Sequence, residues 1–276
     1  FLRCDEGGAL IADPVAGVHG NFAMGGVFEK GKADVRFTAR SNGGHASAPG
    51  KNTPIARLAA FVNETEKHPP FKKKLSYEVA SMFGALAPYA SFGLRLVFGN
   101  IWLFRPLLLA VLPALSAQAG AMLHTTIAFT MQSGSDAVNV IPQKATVSAN
   151  MRFIPHQGEE ESLRIIRARA EKHGLETEIL HANDYTQPAD IHGEAYRLFT
   201  DVIRETFPGL PSSPYVMTGA TDAQFYQPIC KSCLRFAPVI YGPEQMKRMH
   251  GLNENIGYAC LPGAVRFYRG LICAQK

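Results

Sequence analysis

The order of strand-like and helix-like segments between residues 32 and 186 most constrains the fold of this chain. Strands are predicted where apolar residues alternate with polar ones, because alternation places one face on a core. The segments with this pattern are 34–39, 126–131, 147–153 and 175–180. Helices are predicted from Thr53–Pro54, an N-cap followed by a first-turn proline, and after Gly158. The resulting order, β-α-β-β-α-β, predicts a ferredoxin-like sandwich over residues 32–186.

Helical spacing identifies the residues expected in the core of this sandwich. They are Ile55, Leu58, Ala59 and Val62 in the first helix, and Leu163, Ile166 and Ala170 in the second. The strand residues Val35, Phe37 and Ala39 are expected to face them.

Outside this block, alternating strands and helices predict an α/β domain. A helix is expected to bury Tyr196, Phe199, Val202 and Ile203, and a final helix over residues 255–272 to bury Ala259, Val265 and Phe267. Residues 1–31 and 187–276 are expected to form this domain, with residues 32–186 inserted into it. The fold class is therefore α/β with an inserted sandwich domain.

A long apolar segment, residues 71–124, interrupts the sandwich pattern and is predicted to be a helical insertion within that inserted domain. Its most apolar part, Ile101–Leu115, contains Arg105, Pro106 and Pro113. It is shorter than the roughly 20 apolar residues of a membrane helix. A buried or interface-forming helical hairpin is favoured over a membrane span. An exposed apolar patch for a partner or a hydrophobic substrate is the alternative.

Composition restricts the classes of function. The chain has 276 residues, 46% hydrophobic and 18% charged, with a net charge of +5. Positive residues are dispersed apart from Lys72–Lys74, so no nucleic-acid partner is expected. Five cysteines are an odd number, which argues against a full disulfide framework. Cys230 and Cys233 have CxxC spacing without a second such pair, so ordinary thiols are expected.

Several polar residues stand beside glycine-rich or strand-end turns where chemistry is often carried out. Each can also be explained as an ordinary turn, cap or solvated strand residue. The candidates are Asp5 and Glu6 before Gly7-Gly8, His45 in Gly43–Ser47, Asn139 in Asn139–Pro142, Arg152 in a strand, Gly219–Thr221 before Asp222, and His250. Arginine suits bidentate binding of a carboxylate, and small residues at a helix start suit an anion.

In this order, the motifs resemble the co-catalytic zinc exopeptidases, which include aminoacylases, carboxypeptidase G2, succinyl-diaminopimelate desuccinylase and carboxypeptidase S. The resemblance spans essentially the whole chain, and Gly44–Ser47 with Asn139–Pro142 is its most specific part. The long apolar insertion resembles the carboxypeptidase S and N-acyl amino acid hydrolase branch.

The resemblance implies a catalytic α/β domain with an inserted lid or dimerisation domain, and a homodimer formed through that lid. It implies two zinc ions per active site, with cobalt or manganese possible. Glu6, with Asp5 as its rival, would be a ligand of one zinc and His250 of the other. His45 would stabilise the oxyanion in the partner subunit's active site. Asn139 and Arg152 would hold the substrate carboxylate, and Gly219 and Thr221 would line its pocket.

The implied reaction is hydrolysis of a peptide or N-acyl amide bond next to a free C-terminal carboxylate. The family's His-x-Asp motif, bridging aspartate and Glu-Glu pair do not occur before Asp5. We therefore expect the chain to be the downstream part of such an enzyme and to be inactive alone. Two alternatives stay open: a non-catalytic dimerisation or binding module, and a long-chain N-acyl amino acid deacylase whose acyl-binding surface is residues 71–124.

Overall fold

This computed structural model describes residues 2–275, and the chain divides into two compact units. The α/β unit comprises the residues up to Glu29, Leu75–Leu123 and the residues from Thr186 onward. The sandwich unit comprises Lys30–Lys74 and His124–Tyr185. The strands are β1 (Arg3–Ala12), β2 (Asn21–Glu29), β3 (Gly31–Arg40), β4 (Gly44–His45), β5 (Thr126–Ser133), β6 (Val140–Ile141), β7 (Lys144–Phe153), β8 (Glu176–Asn183), β9 (Ser212–Met217) and β10 (Cys233–Tyr241). The helices are α1 (Pro54–Lys67), α2 (Tyr77–Leu86), α3 (Phe92–Gly99), α4 (Ile101–Leu115), α5 (Ala117–Ala121), α6 (Glu159–Lys172), α7 (Glu194–Thr206), α8 (Ala223–Tyr226), α9 (Pro243–Arg248) and α10 (Leu261–Ala274).

The sandwich unit is built on an antiparallel four-stranded sheet with the order β5-β7-β3-β8. This is the strand order of a ferredoxin-like fold, and it confirms the predicted fold class. Val35, Phe37 and Ala39 are fully buried in one core with residues of α1 and α6. Leu163, Ile166 and Ala170 are buried as predicted.

The first helix of the sandwich starts where the sequence predicts and buries Leu58 as predicted, but its buried face is shifted toward Phe61. The Thr53 hydroxyl accepts a hydrogen bond from the Ala56 N–H at 3.5 Å, as an N-cap does. The buried residues of α1 are Pro54, Leu58, Phe61 and Thr65. Phe61 packs against Phe37 with ring centroids 4.6 Å apart. Ile55 and Ala59 are exposed, so their predicted burial is wrong; the large Phe61 ring determines which face is buried.

The α/β unit is built on a sheet with the order β1-β10-β2-β9. Strand β1 runs parallel to β10 and antiparallel to β2, and β2 runs parallel to β9. Phe199 of α7, Phe236 of β10 and Phe267 of α10 pack together, with centroids 5.1–6.0 Å apart. Ala259 and Val265 are exposed, which corrects their predicted burial, because α10 begins only at Leu261 and turns Phe267 inward.

The apolar insertion is helical as predicted, but its assignment to the sandwich domain is wrong. Residues Leu75–Leu123 belong to the α/β unit. Helix α2 buries Val79, Met82, Phe83 and Leu86 in the core that also contains Phe22 and Val216. These four residues lie on one helical face, and strand β9 of the α/β unit packs against α2.

The hydropathy of the insertion does not produce a spanning helix. Within residues 2–275, no single helix is both long and apolar enough to cross a membrane. The consecutive helices Phe92–Gly99 and Ile101–Ala114 reach that length and composition only when taken together, and they are bent by 113°.

Candidate active site

Asp5 and Glu6 lie on β1, at the point where its pairing with β10 becomes irregular. Asp5 is opposite Arg235, and the register shifts between Asp5 and Ala9. Gly7 has φ 132°, and a Cβ there would come 2.3 Å from the Met217 sulfur. A Cβ on Gly8 would come 1.9 Å from the Met24 carbonyl oxygen. Gly8 is therefore required by close backbone packing, and Gly7 by its positive φ.

The carboxylates at this strand affect one another. The Asp5 Oδ1 accepts the Glu6 N–H at 3.0 Å, while Asp5 Oδ2 is buried and has no hydrogen-bond partner among the atoms of residues 2–275. A hydrogen bond with the Asp5 side chain raises the pKa of Glu6, and burial and the charges of Asp5 and Asp222 add to this effect. A buried oxygen without a donor and a crowded set of acids are the environment that a cation relieves.

The loop Gly219–Asp222 is held by a buried polar network. The Thr221 hydroxyl donates to Glu29 Oε1 and accepts the Ala223 N–H at 3.3 Å. Among the described residues, a Cβ on Gly219 would have no neighbour within 4 Å, so a ligand can approach that backbone. Thr221 itself is buried and its hydroxyl bonds Glu29, and its role in lining a substrate pocket stays a prediction.

Glu29 and Arg235 anchor this network, and the sequence reasoning did not single them out. Arg235 Nε donates to Glu29 Oε1 at 2.7 Å, Nη1 to the Cys233 carbonyl at 2.6 Å and Nη2 to Thr186 Oγ1 at 3.2 Å. Both charged side chains are almost completely buried. One sequence feature could have indicated this buried pair: Arg235 stands between Leu234 and Phe236, a charged residue inside an apolar strand.

His250 lies in a turn after α9 and has φ 59°. Its backbone N–H donates to Glu254 Oε2 at 3.1 Å, and the residue is exposed. Across residues 2–275, no group of three or more His, Cys, Asp or Glu side chains is placed to hold a metal ion. The assignment of Asp5, Glu6 and His250 as ligands therefore stays a prediction.

In the sandwich unit, the structure brings His45 and Asn139 together. Strands β4 and β6 form a two-stranded ribbon in which His45 is opposite Val140. The Ala46 N–H donates to the Asn139 carbonyl at 3.0 Å. Gly43 and Gly44 have φ 72° and 154°, which explains why the turn before His45 uses two glycines. The two most specific sequence motifs are therefore the two strands of one ribbon.

The contacts of the His45 ring determine which nitrogen carries the proton in its neutral form. Nδ1 accepts the Ser47 backbone N–H at 3.1 Å and lies 2.8 Å from Ser47 Oγ. A neutral imidazole has one donor and one acceptor nitrogen. Because Nδ1 is the acceptor, Nε2 carries the hydrogen and is available to donate to a ligand.

Arg152 lies in the four-stranded sheet, between Lys32 of β3 and Thr126 of β5, whereas His45 and Asn139 lie in the separate ribbon. Its Nε donates to Asn150 Oδ1 at 3.0 Å, and Asn150 Nδ2 donates to Asp34 Oδ1 at 2.7 Å. The structure thus orients the Arg152 side chain through Asn150. Its role in holding a carboxylate stays a prediction.

Comparison with known protein families identifies the sandwich unit and, with it, the family of the chain. A model of the peptidase dimerisation domain of M20 peptidases matches residues 27–178, more than half of the chain. The chain belongs to the M20 peptidase family. M20 proteins are metallopeptidases, so the predicted relationship to metal-dependent exopeptidases is confirmed.

Individual M20 relatives align along nearly the whole chain. The N-fatty-acyl-amino acid synthase/hydrolase PM20D1 of Xenopus tropicalis is 32% identical over 270 residues, covering 97% of this chain and 52% of the relative. The probable carboxypeptidase S-like 2 of Dictyostelium discoideum is 28% identical, covering 97% of this chain and 51% of the relative. This chain therefore spans about half the length of the curated relatives it matches.

Among solved M20-type folds, human carnosine dipeptidase 1 has a TM-score of 0.58 with 14% identity. The match covers 91% of this chain and 56% of that one. At this level of identity the likeness concerns the fold alone.

Proposed function

We propose that the protein is a metal-dependent hydrolase of peptide or N-acyl amide bonds that lie beside a free carboxylate. The observation that carries this proposal is the His45 ring, whose Nδ1 is occupied by Ser47 and whose Nε2–H is available to donate. The alignment with a carboxypeptidase S-like protein and an N-fatty-acyl-amino acid synthase/hydrolase over 97% of the chain supports the same reaction class.

The residues of the α/β unit fit part of a metal centre. Asp5 Oδ2 is a buried acceptor without a donor in the described chain, and Glu6 and Asp222 add negative charge beside it. We assign Asp5 as the first candidate ligand, Glu6 as its alternative, and His250 as a ligand of a second ion. Zinc is the proposed metal, with cobalt or manganese able to replace it. A bound metal of this kind lowers the pKa of water and polarises the carbonyl group.

His45 supplies the oxyanion donor in this proposal. The Nε2–H would donate to the oxygen that becomes negative as the amide carbonyl is attacked, and the ribbon with Asn139 keeps the ring in place. The Asn139 side chain and the Arg152 guanidinium would hold the substrate carboxylate. The open backbone at Gly219 would line that pocket.

The His45 role is tested in the full-length protein with a matched histidine. His45→Ala should lower kcat by a factor of about a hundred or more, because one oxyanion donor is removed. His181→Ala is the control, since His181 is also exposed in the sandwich unit and bonds a polar residue two positions away. If His45→Ala lowers kcat by less than about threefold, His45 is not the oxyanion donor.

A homodimer through the sandwich unit is the proposed assembly, because this unit matches a peptidase dimerisation domain. Its sheet has two edges, β5 and β8. Exposed residues of β8 include Glu176 and Glu178, which pair with Arg40 and Arg36. Strand β5 carries no charged residue, and natural sheets use charges to protect free edges. We therefore assign β5 as the pairing edge.

A second candidate is a deacylase of long-chain N-acyl amino acids, favoured because several relatives are named N-fatty-acyl-amino acid synthase/hydrolases. Rates on a Gly-Leu dipeptide and on an oleoyl amino acid, measured with the zinc-loaded full-length protein, separate the two substrates. A protein that hydrolyses neither would instead support the non-catalytic binding module.

A further inference from the structure

The helices α3 and α4 of the insertion expose an unusual amount of apolar side chain. The exposed residues, here called the α3–α4 surface, are Phe92, Leu96, Trp102, Leu103, Leu107 and Val111. Phe92 is 85% exposed and Trp102 is 79% exposed. Exposed apolar residues scattered singly are normal, but a set concentrated on two consecutive helices indicates a binding surface.

The inner faces of the same helices are already packed. Phe98 of α3 stacks on Phe83 of α2 with ring centroids 4.7 Å apart, and Leu108 and Leu112 of α4 lie in the core. Helix α4 is therefore apolar on both its buried and its outer side. A helix that is apolar all round is normally covered on all sides, by protein or by lipid.

The charges within this segment of the chain favour an anionic layer. Between Glu78 and Asp136 the sequence contains no Asp or Glu, whereas Arg95 and Arg105 lie within α3 and α4. Both arginines are exposed; Arg95 also bonds the Ala90 carbonyl and Arg105 the Leu75 carbonyl. Their remaining N–H groups can donate to phosphates, and no carboxylate in this segment repels them.

The geometry argues against a single bound acyl chain and against a membrane-spanning rod as the occupant of this surface. A single acyl chain is held in a concavity that encloses it, whereas Phe92 and Trp102 protrude into solvent. The 113° bend between the two helices prevents them from crossing a bilayer as one rod. Tryptophan prefers the boundary between headgroups and acyl chains, because its ring is apolar and its N–H is polar.

We propose that the α3–α4 surface docks the protein on the face of a phospholipid bilayer that contains anionic lipids. Phe92, Trp102 and Leu103 insert to the headgroup–acyl boundary, and Arg95 and Arg105 meet the phosphates. The helices lie on the membrane and do not span it. This inference does not depend on the reaction proposed above.

Trp102 is the only tryptophan in the sequence, so its fluorescence reports on this surface directly. We expect vesicles of equimolar phosphatidylcholine and phosphatidylglycerol to shift Trp102 emission to the blue, and brominated lipids to quench it. The purified chain should float with these vesicles, more strongly at low salt than at high salt. An unshifted, unquenched Trp102 would overturn the proposal without requiring any variant.

Variants test which residues carry the binding. Phe92→Ser combined with Leu103→Ser should lower the vesicle partition coefficient by about tenfold or more, because two apolar side chains leave the lipid. Ile272→Ser is the control, since Ile272 is 70% exposed on α10 of the same unit and should leave partitioning unchanged. An equal loss in the control would overturn the assignment. So would lipid-free self-association, seen by sedimentation, that the double substitution abolishes, because a second copy would then cover the surface.

Discussion

Glu29 and Arg235 form a buried ion pair, Nε to Oε1 2.7 Å, that also receives the hydroxyl of Thr221. The pair joins the ends of two strands to the loop that precedes α8. Such a pair is expensive to bury and stable only when its remaining hydrogen bonds are satisfied. Arg235 meets that condition through the Cys233 carbonyl and the Thr186 hydroxyl, whereas the second carboxylate oxygen of Glu29, Oε2, is buried without a hydrogen-bond partner among the described residues. The network therefore positions Gly219–Asp222 beside the acidic residues of β1.

Removing one partner of this pair should cost far more than removing both. Glu29→Met leaves a buried guanidinium uncompensated, and we expect the free energy of unfolding to fall by about 3–5 kcal/mol. The double substitution Glu29→Met with Arg235→Met removes both charges and should cost less than either single change. Urea denaturation of the unsubstituted protein, of Glu29→Met, of Arg235→Met and of the double variant measures the coupling. Additive losses in the double variant would contradict the network.

The acidic motif depends on Gly8 for a packing reason. Gly8→Ala would place a Cβ 1.9 Å from the Met24 carbonyl oxygen, which belongs to the adjacent strand and cannot move alone. The expected loss of unfolding free energy is at least about 2 kcal/mol. Gly50→Ala is the matched control, since its Cβ would meet nothing within 4 Å in the part of the chain that the structure describes, and it should change stability by no more than about 0.5 kcal/mol. Equal melting temperatures for the two variants would show that β1 and β2 are packed differently.

Lys30 makes the stability of the sandwich unit depend on pH. Burial, and then the charge of Arg152, lower the pKa of Lys30 from 10.5 to about 7, although its Nζ bonds the His124 carbonyl at 2.8 Å. The folded state therefore binds this proton less tightly than the unfolded state. The contribution of neutral Lys30 to folding stability is complete above pH 10.5 and is lost as pH falls through about 7.

Lys30→Met should therefore raise Tm more at about pH 6 than at about pH 10. Lys32→Met is the control, because Lys32 is partly exposed on the same strand and pairs with Asp34 at 2.9 Å. Thermal melts across this range measure the difference. A pH profile of Lys30→Met that runs parallel to the unsubstituted protein would contradict the lowered pKa of Lys30.

The assignment of β5 as the dimer edge can be tested by placing a lysine on each of the two edge strands in turn. Met131→Lys puts a charge on that edge at a residue that is 70% exposed, and should convert the homodimer to a monomer. Ile179→Lys makes the same change on the β8 edge and should leave the dimer intact. Sedimentation equilibrium distinguishes the two. If Ile179→Lys dissociates the dimer and Met131→Lys does not, the interface lies on the β8 edge instead.

Much of the sandwich unit could be predicted because its signals are local. The alternation at Val35 and Phe37, the Thr53 cap and the positive φ of Gly174 each act within a few residues. The exposure of Ile55 shows the limit of this reasoning. Ile55 and Phe61 are both apolar residues of α1, and only the rings of Phe37 and Phe129 determine that Phe61 is buried.

The candidate site could be predicted only as separate motifs. Gly44–Ser47 and Asn139–Pro142 are recognisable in the sequence, but their pairing as β4 and β6 is a long-range contact. Glu29 and Arg235 look like ordinary charged residues until the packing of β2, β10 and the Thr221 loop buries them.

The sequence by itself determined the strand and helix order of the sandwich, the turns that require glycine and the resemblance to a metallopeptidase family. Only the tertiary structure decided that residues 75–123 pack in the α/β unit, that Arg235 is neutralised by Glu29, and that the outer side of α4 stays uncovered. The physical reason is the range of the interactions. Capping and alternation act between near neighbours, whereas the partner of an apolar helix face or a buried charge depends on surfaces brought together from distant parts of the chain.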